Sequence, residues 1–592
     1  MQKLLTLCKP YILPFVLLVA LVYAQVSANL ALPDYMATII NKGIVPQDSG
    51  VIYQTGAWML AIALGGGLAM VGVSYIATKI ATGYVRRLRD DLFAKTESFS
   101  QAEFNKLTTA SLITRATNDT QQVQQVIVLL LRLSLMAPIM GVGAIIKAYA
   151  LAPSMTWIMA VSVVALIAVI AVVFGIALPR FQRLQKLVDK LNLVTREILT
   201  GLRVIRAFGR ETHEEHKFSR TNQDLKDVNL FVNRLTSLLQ PMMMLIMNLA
   251  GVVIVWVGAY KISDGALQIG DMIAFMQYAM QTIAAFLMLS FIFILVPRAY
   301  VSIQRIAQVL STEPEIVDPV KPVHITAERG VVEFKDVSFT YGTAEAPALE
   351  HISFVAEPGQ TTAFVGSTGS GKSTLISLIP RFYDVTAGSI LIDGIDIREL
   401  TLETLRDKIG YVPQRAMLFS GTIASNIRYG APDATDAAMK HDVQVAQASE
   451  FITKLEKGFD HEIAQGGGNV SGGQKQRLSI ARAIAKKPEV FIFDDSFSAL
   501  DFKTDSLLRA ALQAETKHKT VLIVAQRIST IMNADKIIVL DEGVIVGEGT
   551  HAQLLKSCKV YREIAESQLS EAELQKSLKT PAGRLQAEGQ LA

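Results

Sequence analysis

The sequence predicts a bundle of six transmembrane α-helices with long cytoplasmic extensions, fused to an α/β P-loop domain. Three observations carry this. Apolar runs of about 20 residues, the length that crosses a bilayer core, are confined to the first half of the chain. Residues 311–330 break to polar sequence with Pro314, Pro319 and Pro322. Beyond them, the glycine-rich run Gly366-Ser-Thr-Gly-Ser-Gly-Lys372-Ser373 follows a short apolar segment. The expected organisation is a membrane domain over residues 1–310, a linker over 311–330, the α/β domain over 331–568 and a polar tail over 569–592.

The composition sets the limits. The chain has 592 residues, 51% of them hydrophobic, with a mean hydropathy of +0.34. That is too long for one compact domain and too apolar for an ordinary soluble protein. A formal charge of +4 gives no footprint for nucleic acid. Cys8 and Cys558 are the only cysteines and lie near opposite ends, which excludes a disulfide framework or a Cys-rich metal site.

The candidate spans are 11–32, 56–84, 127–148, 155–177, 240–260 and 270–296. The N-terminus carries no clear cleavage site, so the first apolar stretch is read as a retained helix. Lys79, Arg132 and Lys147 lie within or beside spans two and three, and are read as snorkelling cations that mark helix ends. Residues 85–125 hold six Lys or Arg and residues 178–239 hold twelve, whereas the other connections carry only Lys42 and Lys261. The positive-inside rule then places both long segments, and both termini, on the cytoplasmic side of an inner (plasma) membrane. Apolar residues from Phe181 to Phe208 recur at helical spacing, so the fourth span is expected to run on into the cytoplasm. The last two spans are rich in methionine (Met242, Met243, Met244, Met247, Met272, Met276, Met280 and Met288), which suits either packing or a surface for varied apolar ligands. Gln277, Gln281 and Ser290 are expected to face the bundle interior.

In the second half, Val331–Phe334, Ile352–Ala356 and Thr362–Val365 read as strands. The last runs into the glycine-rich loop and a helix over Ser373–Ile379. Gly366, Ser367, Thr368, Gly369, Ser370, Gly371, Lys372, Ser373 and Thr374 therefore form a candidate phosphate cradle. Its backbone N–H groups curl around phosphate oxygens at a helix N-terminus. Lys372 is placed for the terminal phosphates and Ser373 for Mg²⁺. The cofactors expected are ATP and Mg²⁺. Val490-Phe-Ile-Phe-Asp494 reads as a buried strand ending in an acid that holds the metal through water.

A third motif, Val470-Ser471-Gly472-Gly473-Gln474-Lys475-Gln476-Arg477, precedes a helix read as Leu478–Ala485. It resembles the signature of the ATP-binding cassette (ABC) family, whose usual first residue is Leu. Further matches follow in the family's order. By this resemblance Tyr341 stacks on adenine, Gln414 contacts Mg²⁺, and Ser498 and Asp501 lie on a loop at the dimer interface. Six spans and one cassette match the layout of a half-exporter along nearly the whole chain. Ser111–Asp119 and Gly201–Arg210 look like its coupling segments.

Two positions depart from the family's pattern. Asp495 stands where a glutamate usually polarises the attacking water, and Gln526 stands where a switch histidine is usual. Aspartate is shorter by one carbon–carbon bond, about 1.5 Å, and misplacement on the order of 1 Å can cost about a hundredfold in rate. Glutamine cannot become cationic or relay a proton. The combination resembles one subunit of the heterodimeric bacterial multidrug exporters. The resemblance implies a slow ATPase site in this chain and a signature (Ser471, Gly472, Gly473, Gln474) that completes an active site on a second ABC half-transporter. The implied activity is ATP-driven export of drugs, lipids or other amphiphilic small molecules across a lipid bilayer. A homodimeric lipid exporter and a nucleotide-gated regulatory subunit are the alternatives left by the residues.

Overall fold

Among the described residues, six helical segments are long and apolar enough to cross a membrane, and each overlaps one of the six runs read from the sequence. They belong to a computed structural model that describes residues 9–579, apart from 324, 326–328 and 343. Cys8, Pro581 and Gly583 lie outside the described residues, as does the side chain of Ser290. The chain divides into two units. The first comprises residues up to Glu97 and Thr109–Thr312, and the second Ser98–Thr108 with everything from Glu313 onward.

In the membrane unit, Leu18, Val22 and Val26 of the first helix (Ile12–Thr38) pack with Ala137, Met140, Ala144, Phe275 and Tyr278. The alanines allow close approach where lipid supplies no hydrophobic drive. Pro33 sits inside the first helix and cannot donate the hydrogen bond that would satisfy Asn29. The sixth helix (Ile269–Ser311) supplies it: Gln281 Nε2 donates to the Asn29 carbonyl at 3.3 Å. The Tyr278 hydroxyl lies 2.8 Å from the Leu30 carbonyl and 2.6 Å from Asp34 Oδ1. Lys147 does more than mark a helix end, because its ammonium pairs with Asp34 Oδ2 at 2.7 Å. The interior position expected for Gln281 is thereby met. The methionines divide: Met272, Met276 and Met288 pack against the bundle core, while Met242 and Met244 are exposed.

One expectation for the cytoplasmic extensions is corrected. The fourth helix does run on (Thr156–Thr200) but stops at Gly201, before a short helix Leu202–Ala207 and the next long one, Glu211–Ser237. The apolar periodicity bridged that break because Leu202 and Phe208 lie on the short turn, both exposed. The segment Ser111–Asp119 belongs to the membrane unit, where Arg115 Nη1 donates to the Arg305 carbonyl and Ser302 Oγ to Asp119 Oδ1. It is the preceding stretch, Ser98–Thr108, that packs with the soluble unit. Its helix Gln101–Leu107 buries Leu107, and Phe99 just before it is buried as well. Burial alone would raise the pKa of Glu103. Hydrogen bonds from Ser100 and the Glu315 amide hold it below the usual range.

Besides a two-stranded pairing of Gly421–Thr422 with Glu462–Ile463, the described residues of the soluble unit form two larger sheets. In the antiparallel one the order is Leu349–Ala356, Val332–Phe339, Ala387–Ile392, Ile395–Asp396. The larger runs Val544–Gly549, Lys536–Asp541, Thr361–Gly366, Thr520–Val524, Val490–Asp494, Ile409–Val412, and only its first strand is antiparallel. Val490–Asp494 and Thr520–Val524 are buried at every residue, as parallel strands covered on both faces require. The tail expected from residue 569 is partly corrected. Glu571–Lys579 is a helix, Leu569 and Leu574 pack on the core, and Ser577 Oγ lies 2.9 Å from His551 Nε2.

Phe364 is fully buried in the strand leading to the phosphate loop, edge-on to Phe354 with centroids 5.3 Å apart. Truncation of such a ring costs about 3–5 kcal/mol. Phe364→Ala should therefore lower the melting temperature of the soluble unit in the full-length protein by roughly 10 °C, read by scanning calorimetry in detergent.

Candidate functional site: the nucleotide-binding centre

The sheet delivers the site by ending two neighbouring strands at one level and the strand beside them two residues further on. Val524 lies opposite both Phe364 and Asp494, so the loops after Gly366, Asp494 and Val524 leave together. Ligands bind beyond the carboxyl ends of strands in such sheets.

The phosphate loop enters its helix one residue earlier than the sequence suggests, at Lys372, and the helix ends at Leu378. Gly371 caps it in the left-handed region, at φ +95°. A Cβ there would lie 2.7 Å from Leu349 Cδ2 and 2.8 Å from the Ala348 carbonyl, so conformation and space both require glycine. Lys372 is buried, and its ammonium donates to the Gly366 carbonyl (2.9 Å), the Ser367 carbonyl (2.6 Å) and Ser370 Oγ (3.2 Å). Burial pushes the lysine below its usual pKa, against the opposing pull of Asp495 and Asp494.

Ser373 Oγ donates to Asp494 Oδ1 at 3.0 Å, tying the loop helix to the end of the neighbouring strand. Burial lifts the Asp494 carboxyl above its usual range. The Ser373 bond and Lys372 oppose this, and the charge of Asp495 adds to it. Asp495 has left the strand at φ +44°, with its amide on the Val524 carbonyl (2.9 Å) and Oδ2 accepting from Gln414 Nε2 (3.3 Å). Gln414 thus meets Asp495 first, and only through it the carboxylate pair. Ser498 Oγ donates to the Asp495 carbonyl at 2.8 Å, and Arg527 reaches the Ser498 carbonyl at 3.3 Å. Asp501 caps the helix Phe502–Glu515 through the amide and hydroxyl of Thr504.

Tyr341 is partly exposed, with its ring edge-on to Phe339 (4.7 Å) and Tyr383 (5.3 Å) and its hydroxyl 3.0 Å from Thr374 Oγ1. Tyr383 escaped the sequence reading, and so did its partner Asn105, whose side-chain amide donates to the Tyr383 hydroxyl at 3.1 Å. No local spacing signals a contact across so many residues.

The signature differs from its expected setting. Gly472 and Gly473 form the first turn of a helix that runs Gly472–Ala485, rather than preceding one at Leu478. Ser471 and Gln474 make a capping box: Ser471 Oγ accepts from the Gln474 amide (3.3 Å) and Gln474 Oε1 from the Ser471 amide (2.9 Å). The Ser-x-x-Gln pattern was the available signal.

The comparisons agree with this geometry. Residues 15–286 match the ABC transporter transmembrane region and residues 349–498 the ABC transporter family. The chain is 42% identical over 573 residues to an ABC transporter ATP-binding protein of Mycobacterium tuberculosis, spanning 95% of this chain and 98% of that one. This chain belongs to the ABC transporters. An ATP-dependent lipid A-core flippase of Desulfotalea psychrophila is 31% identical over 557 residues, 92% of this chain and 95% of the flippase. A solved bacterial Atm1-family ABC exporter with ATP bound superposes with a TM-score of 0.79 at 26% identity, covering 95% of this chain and 99% of that one. The protein is a subunit of an ATP-driven ABC exporter. It is a multi-pass membrane protein whose cassette binds and hydrolyses ATP.

The raised pKa of Asp494 yields a prediction. A carboxyl whose folded pKa exceeds its unfolded value supports the fold at low pH and loses that support as pH rises through the folded pKa. At neutral pH its charge is therefore a burden on the nucleotide-free ABC subunit. Asp494→Asn, which keeps the oxygen facing Ser373, should melt a few degrees higher without nucleotide. It should also lose the further stabilisation that Mg-ATP gives. Thermal scans at pH 7 with and without Mg-ATP check both.

Proposed function

We propose that this chain pairs with a second, different ABC half-transporter in the inner (plasma) membrane, and that the pair exports drugs, lipids or other amphiphiles. Both termini lie in the cytoplasm. The chain contributes a slow ATP site and an intact signature to the pair. The observation that carries this reading is the couple Asp495 and Gln526 at the ends of adjacent strands. The two positions that polarise the water and hold the γ-phosphate are the ones altered, while the phosphate loop and signature are whole. The amphiphile class rests on the apolar bundle and on a relative named as a lipid A-core flippase.

In this mechanism Lys372 and the amides of Gly366–Thr374 bind the phosphates, and Tyr341 stacks on the adenine. Ser373 and Asp494 would hold Mg²⁺, with Gln414 reaching it beside Asp495. The donor set fits. Two hard oxygens stand 3.0 Å apart, and the carboxylate is one that burial destabilises when charged. Mg²⁺ takes few protein ligands and keeps its waters. It would neutralise charge on the phosphates. Asp495 orients the attacking water, and Gln526 contacts the γ-phosphate by a hydrogen bond without a charge to offer. Ser471–Gln474 act on the partner's nucleotide, and Ser498 and Asp501 line the dimer interface.

Co-purification with identification of the bound chain is the first test; a partner with Glu and His at these two positions is expected. The second is single-turnover hydrolysis at this chain's site, in a dimer whose partner site is silenced. Asp495→Glu with Gln526→His should accelerate it more than either change alone, on the order of a hundredfold together. An unmodified site already as fast as the intact complex would overturn the asymmetric reading. Conversely, Ser471→Arg should remove most ATPase of the complex, because the bulky cation obstructs the partner's site.

A further inference from the structure

The last strand of the catalytic trio ends at Val524 and the next helix begins at Ile528. Three residues, Ala525, Gln526 and Arg527, make the connection. Ala525 is still anchored, since its amide donates to the Phe364 carbonyl at 3.3 Å. Gln526 and Arg527 are exposed and lie beyond the ladder that fixes the strand. Backbone this short, leaving a sheet without ladder partners, takes its conformation from whatever its polar groups meet.

One side chain meets two of them. Gln568 Nε2 donates to the Gln526 carbonyl at 2.8 Å, and Gln568 Oε1 accepts from the Ile528 amide at 2.8 Å. The carboxamide therefore brackets the loop on either side of Arg527, and both of its bonds are short and direct. Gln568 is the last residue of the helix Lys559–Gln568. That helix is fixed: Tyr561 and Ala565 are fully buried, and the Tyr561 hydroxyl lies 2.7 Å from Nδ1 of the buried His551. On the far side, Arg527 reaches the Ser498 carbonyl, and the Asp495 amide holds the Val524 carbonyl. The loop is thus clamped between the Asp495 turn and the C-terminal helix.

We infer that Gln568 is a positioning residue for ATP hydrolysis, acting through the backbone of Gln526 to hold its side chain toward the γ-phosphate. The inference rests on the role given above to Gln526. Loss of the bracket frees a carbonyl and an amide at once and lets the loop rotate about its short connection. A shift well under 1 Å is enough to slow the chemical step, because 1 Å can cost about a hundredfold. ATP binding is carried by the phosphate loop and Tyr341, on other strands, and is not touched.

The test uses the full-length complex with its partner half-transporter in lipid nanodiscs, the partner's own ATP site silenced, with single-turnover ATP hydrolysis and equilibrium ATP affinity as separate readouts. Gln568→Ala is expected to slow hydrolysis about tenfold while affinity stays within about twofold. Gln568→Glu, close in shape, keeps the acceptor for Ile528 and loses the donor for Gln526; it should reproduce most of the loss and also serves if the alanine variant folds poorly. In a Gln526→Ala background the substitution at Gln568 should cost nothing further, since groups acting as one unit are not additive. A tenfold loss that persists in that background would make Gln568 a structural residue only and overturn the inference. Full turnover in Gln568→Ala, with Gln526→Ala impaired, would overturn it while leaving the role of Gln526 standing. Full turnover in Gln526→Ala would overturn that role and the inference with it.

Discussion

The register of three parallel strands is the constraint on which the nucleotide site depends. Phe364, Val524 and Asp494 lie side by side in the ladder, so the switch loop and the acidic turn start from one line and the phosphate loop two residues beyond it. A slip in a parallel pairing would shift one loop along the strand direction by about 3.3 Å per residue. The hydrogen bond from Ser373 to Asp494 then draws the loop helix onto that line. The buried apolar residues on both faces of the sheet, among them Phe364, Phe493 and Ile523, hold the register. Chemistry at the surface is thus set by packing beneath it.

Much of this was legible because the signals are local. A strand entering Gly366–Ser373 and a strand ending at Asp494 need only short-range pattern, and both stand where they were expected. The six spans were legible for the same reason, since apolar length is a property of a single segment. Boundaries shifted where a cap outranked periodicity. The capping box of Ser471 and Gln474 starts a helix that the apolar pattern alone begins at Leu478. Gly201 stops one that the pattern extends to Phe208. What was not legible is tertiary. The bonds Asn105–Tyr383 and Gln568–Gln526 join residues 278 and 42 apart and leave no trace in spacing. That Ser98–Thr108 belongs with the soluble unit is of the same kind, a tertiary fact without a local signal.

The membrane half solves a different problem. A proline in a helix that crosses lipid leaves a carbonyl without a donor, and lipid offers none. Asn29 takes its donor from Gln281 of another helix, and Asp34, one residue past the proline, gathers Tyr278 and Lys147. The polar residues of the first and sixth spans therefore serve each other. That accounts for much of the polarity at membrane depth without invoking a ligand.

The soluble unit is discontinuous, and this has a consequence for the order in which it is made. Ser98–Thr108 is translated about 200 residues before Glu313, the start of the rest of the unit. At synthesis rates of roughly 5–20 residues per second, that helix waits some 10–40 s for a surface to cover. During that time Phe99, edge-on to Phe104 of the same segment, and Leu107 lack the rest of the unit in which they are buried. Within the segment itself, the capping box of Ser100 and Glu103 is the local device that holds the short helix. A soluble unit produced from residue 313 alone would meet the opposite difficulty, an open seat around Tyr383 and Glu315 with no occupant, and would be expected to self-associate there.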